Sequence, residues 1–139
     1  MRQILLIILG LSVAVFADFT KIGDVVTDNI SGLQWKDDAI GSPMTWTAAI
    51  NYCENLTFDT HSDWRLPNLK ELTSLVEDSK VSPSIDTSVF EHTTSNYYWS
   101  STTYAGTTSS AWRVYFHYGY QYHRNKSNSL YVRCVRAGQ

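Results

Sequence analysis

Residues 97–136 most constrain the fold, because apolar and polar side chains alternate there. Between residues 111 and 118 every second residue is large and apolar, whereas the residues between them are Arg, Tyr and His. A period of two is typical of a β-strand that buries one face. Asp and Glu are absent from residues 97–136. This segment therefore predicts antiparallel strands with an apolar inner face and an outer face of Tyr, His and Arg.

The alternation divides the segment into two sets of side chains. The set expected in the core is Trp99, Trp112, Val114, Phe116, Val132 and Cys134. The other set is a candidate ligand-binding surface, because Tyr rings supply contact area at low entropic cost and Arg and Asn supply directional hydrogen bonds. Its members are Arg113, Tyr115, His117, Tyr118, Tyr120, Tyr122, His123, Arg124 and Asn125. The alternative is that these are ordinary solvent-facing strand residues, since Tyr has a high strand propensity.

The same alternation is expected in the closing strand, residues 130–135. There Leu130, Val132 and Cys134 are predicted to face the core. Tyr131, Arg133 and Val135 are predicted to face away from it.

Two helices are predicted before the aromatic segment. Residues 46–56 place apolar side chains at helical spacing, including Cys53, and Thr45 can cap the helix. Asn68 can cap a second helix with Glu71 as its capping-box partner. The buried stripe of that helix is expected to be Leu69, Leu72, Leu75 and Val76. Arg65, which precedes it, is expected to form a structural ion pair.

Other segments predict a hairpin and loops. Residues 24–35 place turn-forming residues between two strand-forming stretches, and residues 79–96 have few apolar residues and predict a long surface loop. Asp37 and Asp38 are interpreted as a solvated turn, with a calcium site as the alternative. Together the elements predict an α+β fold with two helices packed on an antiparallel sheet.

The N-terminus predicts export. Arg2 precedes a short apolar run, and Val15 and Ala17 lie at the −3 and −1 positions of a cleavage site. Residues 1–17 are therefore predicted to be a signal peptide, and residues 18–139 a single domain in the periplasm or outside the cell, with no membrane span. An even cysteine count in an exported chain favours a disulfide between Cys53 and Cys134. A loop of that length is worth about 4 kcal/mol of stability.

Charge is distributed unevenly along the chain. All thirteen acidic residues precede residue 92, whereas the residues after it include five Lys or Arg and no acid. The formal net charge of −2, in an exported chain, argues against nucleic acid as a partner. The four His residues do not have the spacing of metal ligands. The sequence also contains no motif typical of a Ser/His/Asp triad or a glycine-rich phosphate loop. We therefore expect no catalysis, no metal and no cofactor.

Five motifs occur in order across residues 28–136. They are Asp28-Asn29-x-Ser31-Gly32-Leu33-x-Trp35, Trp64-Arg65-Leu66-Pro67-Asn68 with Glu71-Leu72, Tyr98-Trp99-Ser100-Ser101, Ala111-Trp112-x-Val114-x-Phe116, and Tyr131-Val132-Arg133-Cys134-Val135-Arg136. In these motifs the chain resembles the Lcl C-terminal domain family, which is named after the C-terminal domain of a bacterial collagen-like adhesin.

The resemblance implies a C-type-lectin-like fold in which Cys53 and Cys134 tie the first helix to the final strand. It also implies an adhesin-like binding role without catalysis, with a glycan or a cell-surface protein as ligand. The chain departs from that adhesin because it has no collagen-like stalk. Leu66-Pro67-Asn68 also lacks the carboxylate of the calcium motifs in true C-type lectins. Sulfated-glycan binding would rest on only Arg113, Arg124, Lys126, Arg133 and Arg136.

Three alternatives stay open beside the binding module. The outer face resembles the diversified surface of retroelement variable proteins, which would require a neighbouring reverse-transcriptase gene and a template repeat. An enzyme related to the sulfatase-modifying proteins would need reactive thiols or metal chemistry that a disulfide-bonded pair does not supply. A self-associating surface protein would pack the aromatic face against another copy.

Overall fold

The computed structural model describes residues 15–16 and 18–138. They form two helices and two antiparallel sheets. The helices are α1 (Trp46–Glu54) and α2 (Leu69–Thr73). The strands are β1 (Val15–Phe16), β2 (Phe19–Ile22), β3 (Val25–Asp28), β4 (Gln34–Lys36), β5 (Tyr97–Thr103), β6 (Ser110–Tyr115), β7 (Tyr120–Asn125) and β8 (Val135–Arg136). The α+β prediction is confirmed, with two sheets where one was expected.

The first sheet has the order β1-β2-β3-β4-β8, and the second has the order β5-β6-β7. Most of the predicted signal peptide lies outside the described residues, so that prediction stays a prediction. Within residues 15–16 and 18–138, neither helix has the length and apolar character that a membrane span requires.

The predicted hairpin at residues 24–35 is confirmed by the pairing of β3 with β4. Its turn is held by Asp28, whose Oδ1 accepts hydrogen bonds from the backbone N–H groups of Ile30 (2.9 Å) and Ser31 (3.2 Å). Gly32 follows with φ +79°, a left-handed conformation that glycine adopts without steric cost. Strand β8 then pairs with the outer side of β4 and brings the C-terminal part of the chain against this hairpin.

Both predicted helices are present but shorter than expected. Helix α1 ends at Glu54, two residues before the predicted end, and Thr45 precedes it without a side-chain capping hydrogen bond. Helix α2 begins after Asn68 with the predicted capping box to Glu71, and it spans only five residues. Arg65 forms the expected ion pair, donating to both carboxylate oxygens of Glu71 at 2.7 Å.

The disulfide prediction is confirmed. Cys53 of α1 is bonded to Cys134, which directly precedes β8, with Cα atoms 5.5 Å apart and a sequence separation of 81. Both cysteines are buried beside Ala49, Trp64 and Trp99. The bond therefore joins the first helix to the last strand inside one apolar cluster.

The second sheet is packed on both faces, which the alternation pattern did not predict. Tyr98 and Val114 belong to one core cluster, whereas their strand neighbours Trp99 and Ala111 belong to the other. Successive strand residues point to opposite faces, so the two clusters cover opposite sides of this sheet.

Residues 79–96 contain no helix or strand, as expected, but the prediction of a surface loop is wrong. Ile85, Val89 and Phe90 are buried in the first core cluster. The Ser84 hydroxyl is also buried and donates to the backbone carbonyl of Phe116 at 2.9 Å. Three large apolar side chains therefore suffice to pack this segment against the second sheet.

The predicted outward direction of the closing strand is wrong for Arg133 and Val135. Both side chains are buried, as is Arg136. The cause is that Val135 pairs with Trp35 of β4 on one side and with Arg65 on the other. The strand is thus interior on both sides, and its two arginines are held in ion pairs.

Candidate functional site

A stack of aromatic rings lies on the β5–β6–β7 sheet. Tyr97 and Tyr115 are cross-strand partners, and their rings stack with centroids 4.1 Å apart and an interplanar angle of 20°. The Arg113 guanidinium carbon lies 3.7 Å from the centroid of the Tyr97 ring. That distance is within the range of a favourable cation–π contact.

The stack continues into the exposed turn between β6 and β7. Tyr118 contacts Tyr115 edge-on at 6.0 Å and stacks on Tyr120 at 5.7 Å. The strand register also places Tyr122 opposite Arg113. We call this set the tyrosine face: Tyr97, Arg113, Tyr115, His117, Tyr118, Tyr120 and Tyr122. Its outer rings, Tyr118, Tyr120 and Tyr122, are 52%, 67% and 61% exposed.

His123 links the tyrosine face to a second group of rings, because its imidazole stacks on Tyr122 with centroids 4.5 Å apart. Its imidazole lies parallel to the Tyr104 ring, with centroids 3.8 Å apart and an interplanar angle of 5°. Trp112 contacts both rings edge-on, at 5.4 Å from Tyr104 and 6.2 Å from His123. The prediction that Trp112 is a core residue is therefore wrong, because its side chain is only half-buried and packs in this second aromatic group.

The remaining two predicted surface residues have separate positions at the end of β7. Arg124 is exposed. Asn125 accepts hydrogen bonds through Oδ1 from the backbone N–H (2.9 Å) and hydroxyl (2.7 Å) of Ser127, so its side chain builds the following turn. The structure thus brings six of the nine predicted surface residues together in the tyrosine face and places His123 at its edge, against Tyr122. Arg124 and Asn125 lie beyond that edge, at the end of β7.

Arg113 has no carboxylate partner among residues 18–138. Its Nε atom is buried without a hydrogen-bond partner in the described part of the chain, and the neighbouring strands carry no Asp or Glu. Arg133 and Arg136 cannot add to a basic surface because they pair with Asp37 and Asp63. The tyrosine face therefore carries one positive charge that no described carboxylate pairs with.

Asp37 is a fully buried charge centre, and its interpretation as a solvated turn is wrong. Its carboxylate accepts hydrogen bonds from Lys21 (2.6 Å), from Arg133 (2.9 Å) and from two backbone N–H groups, of Glu91 (3.0 Å) and His92 (3.2 Å). Burial raises the pKa of Asp37, but the positive charges of Arg133 and Lys21 outweigh burial and hold this pKa below its ordinary value.

The calcium alternative for Asp37 and Asp38 receives no support from this geometry. The Asp37 oxygens already accept four hydrogen bonds, and Asp38 forms an ion pair with Lys36. Across the described residues, no group of three or more His, Cys, Asp or Glu side chains is placed to hold a metal ion.

Comparison with models of known protein families assigns the chain to a family. The model of the Lcl C-terminal domain matches residues 24–136, which include the tyrosine face, the Asp37 charge centre and both cysteines. The chain belongs to the Lcl C-terminal domain family. This confirms the resemblance seen in the five sequence motifs. A comparison with curated proteins gives no match.

Two aromatic residues that contact the predicted surface residues of this Lcl C-terminal domain are absent from the sequence-based prediction. Tyr97 supports Arg113 and Tyr115, and Tyr104 stacks on His123. Tyr97 could have been found by pairing the two strands in sequence, because an antiparallel register that sets Trp99 opposite Arg113 also sets Tyr97 opposite Tyr115. Tyr104 follows the irregular end of β5, so alternation gives no signal for its direction.

Proposed function

We propose that this domain is an exported, non-catalytic binding module whose tyrosine face binds a glycan. The observation that carries the proposal is the continuous ring contact from Tyr97 through Tyr115 and Tyr118 to Tyr120. Its outer end is open to solvent, where large aromatic side chains are seldom clustered without a binding role. Flat, rigid rings stack on the apolar faces of sugars and lose little conformational entropy when they do so.

Charge favours a neutral or sparsely charged glycan over a densely sulfated one. Of the five basic residues in the C-terminal part of the chain, Arg133 and Arg136 are buried in ion pairs. Lys126 lies over the Trp46 ring at 4.0 Å and donates to the Thr103 hydroxyl. Arg113 and Arg124 are left to contact a ligand, and two positive charges give weak attraction to a polyanion.

The disulfide supports the exported location, because such bonds persist in oxidising compartments. Two helices and a helix-to-last-strand disulfide also support a C-type-lectin-like identity for the fold. The proposal of a non-catalytic role rests on the tyrosine face, where neither a carboxylate pair nor a metal-binding group is found among the described residues.

The test is a glycan array probed with the purified protein and three alanine variants. Tyr115→Ala and Tyr120→Ala should each weaken binding by about tenfold. Tyr120 is 67% exposed, so its removal should change the free energy of unfolding by less than about 0.5 kcal/mol. The matched control is Tyr52→Ala, since Tyr52 is also exposed (41%) but lies on α1. Loss of binding in Tyr52→Ala with retention in Tyr120→Ala would overturn the proposal.

A second copy of the chain is the second candidate ligand. Strand β7 is an edge of its sheet and presents Tyr120 and Tyr122 beside unpaired backbone groups. Sedimentation of the purified protein separates the two candidates. If the protein is a dimer that Tyr122→Lys converts to a monomer, and no glycan is retained, self-association replaces glycan binding as the function of this face.

A further inference from the structure

A concave site lies away from the tyrosine face. It is a cavity of about 290 Å³ between residues 38–44, α1 and residues 132–134. Its apolar wall includes Ile40, Met44, Tyr52 and Val132. None of the residues that line it belongs to the tyrosine face, so ligand binding at the two places can be measured independently.

The size and lining of the cavity suit a small aromatic ligand. A cavity of about 150 Å³ is enough to hold benzene, so this one has room for a substituted ring. Ile40 and Tyr52 are 46% and 41% exposed at its mouth, which leaves apolar surface that a bound ring would cover.

The charged side chains in the wall already have partners. Lys36 forms an ion pair with Asp38, and Arg133 forms one with Asp37 behind the wall. A charged ligand would lose hydration in this cavity without meeting an unpaired opposite charge, and that loss is unfavourable. The cavity therefore favours an uncharged ligand.

His92 also lines the cavity and is a polar group that a ligand could contact. Its Nδ1 atom lies 3.1 Å from the backbone carbonyl oxygen of Asp37. A carbonyl only accepts hydrogen bonds, so Nδ1 is the donor and carries the ring proton. In the neutral imidazole, Nε2 is then an acceptor, and it calls for a hydroxyl or N–H on the ligand.

We propose that this cavity is a binding site for a small, uncharged phenol, with its ring against Met44 and Tyr52 and its hydroxyl donating to Nε2 of His92. The probe is p-cresol, and the readout is the ¹³C-methyl resonance of Met44, one of two methionines in the chain. p-Cresol should shift this resonance saturably, with a Kd on the order of 1 mM for a ligand of its size.

Two related probes test the ligand class. Toluene lacks the hydroxyl and should bind about tenfold more weakly, which is the effect of one hydrogen bond. 4-Methylbenzoate is charged at neutral pH and should cause no saturable shift. Equal binding of all three probes would overturn the proposed role of His92 and with it the assignment of the site to phenols.

Three variants test the location. Ala39→Trp, at an exposed residue of the wall, should fill the cavity and abolish the Met44 shift. His92→Phe should weaken p-cresol about tenfold without changing the affinity for toluene. Tyr120→Ala removes a ring of the tyrosine face and should leave the p-cresol Kd unchanged within about twofold. An unmoved Met44 resonance in the wild-type protein, or full p-cresol binding by a folded Ala39→Trp variant, would overturn the proposal.

Discussion

The buried carboxylate of Asp37 allows the most direct test of what holds the fold together. Replacement by Asn keeps the shape of the side chain but removes its charge. Arg133 would then lose its counter-ion while its own side chain stays only 4% exposed, and Lys21 would lose a 2.6 Å contact. The Asn amide group would also face backbone N–H groups that need an acceptor.

The expected magnitude follows from this loss. Removal of one partner from a buried ion pair costs about 3–5 kcal/mol, because the other charge stays buried without compensation. A domain of this size has a total stability of about 6–18 kcal/mol at 0.05–0.15 kcal/mol per residue. We therefore expect Asp37→Asn to lose a large part of the free energy of unfolding.

The assay is equilibrium unfolding in urea at pH 7, with Asp38→Asn as the matched control. Asp38 is the next residue and also forms an ion pair, but its side chain is 33% exposed. Such a pair contributes at most about 1 kcal/mol. A cost for Asp37→Asn within about 1 kcal/mol of the cost for Asp38→Asn would show that the buried charge of Asp37 does not hold the fold together.

The pH dependence provides a second check on Asp37. Its pKa is lowered in the folded protein, so its contribution is fully present above the unfolded-state value near 4. That contribution is lost as the pH falls through the lower folded-state pKa. The stability difference between wild type and Asp37→Asn should therefore be constant above about pH 5 and shrink below about pH 4. A difference that grows on acidification would contradict the assignment.

Three further predictions concern stability and metal binding. Paired Ser substitutions at Cys53 and Cys134, whose disulfide spans 81 residues, should cost about 4 kcal/mol in urea unfolding; a loss below about 1 kcal/mol would contradict the loop-closure argument. Glu71→Ala removes the capping box and the Arg65 pair and should cost about 1–3 kcal/mol, whereas the exposed neighbour variant Lys70→Ala should cost less than about 0.5 kcal/mol. Calcium at about 1 mM should leave Tm unchanged, and a rise of several degrees would restore the calcium hypothesis.

Local patterns in the sequence predicted the elements of the fold well. Asn68 and Glu71 identified the start of α2 because a capping box is a contact between residues three apart. The hairpin at residues 24–35 was found for the same reason, since its turn residues are contiguous. Cys53 and Cys134 are distant in sequence, but an even count of two leaves one intramolecular pairing.

Contacts between distant segments account for the errors. The alternation of the closing strand gives Arg133 an outward direction. Its guanidinium is nevertheless buried by hydrogen bonds to Asp37 and to residues 92–93, which are distant from it in the sequence. No local sequence pattern indicates these contacts. Trp112 has the spacing of a core residue, but its ring is half-buried and packs against Tyr104 and His123. The cavity near Met44 likewise has no sequence signal, because a concavity depends on how segments that are distant in the sequence meet.

Mapping the bound ligand at residue resolution would show whether the tyrosine face binds a glycan. The ¹⁵N-labelled protein should be titrated with the glycan that it retains best on an array, and the amide shifts followed through saturation. Glycan binding at the tyrosine face should give the largest shifts at Tyr97 and at residues 113–122. Largest shifts at residues 38–44 and 92, or shifts spread without a maximum on the β5–β6–β7 sheet, would contradict it.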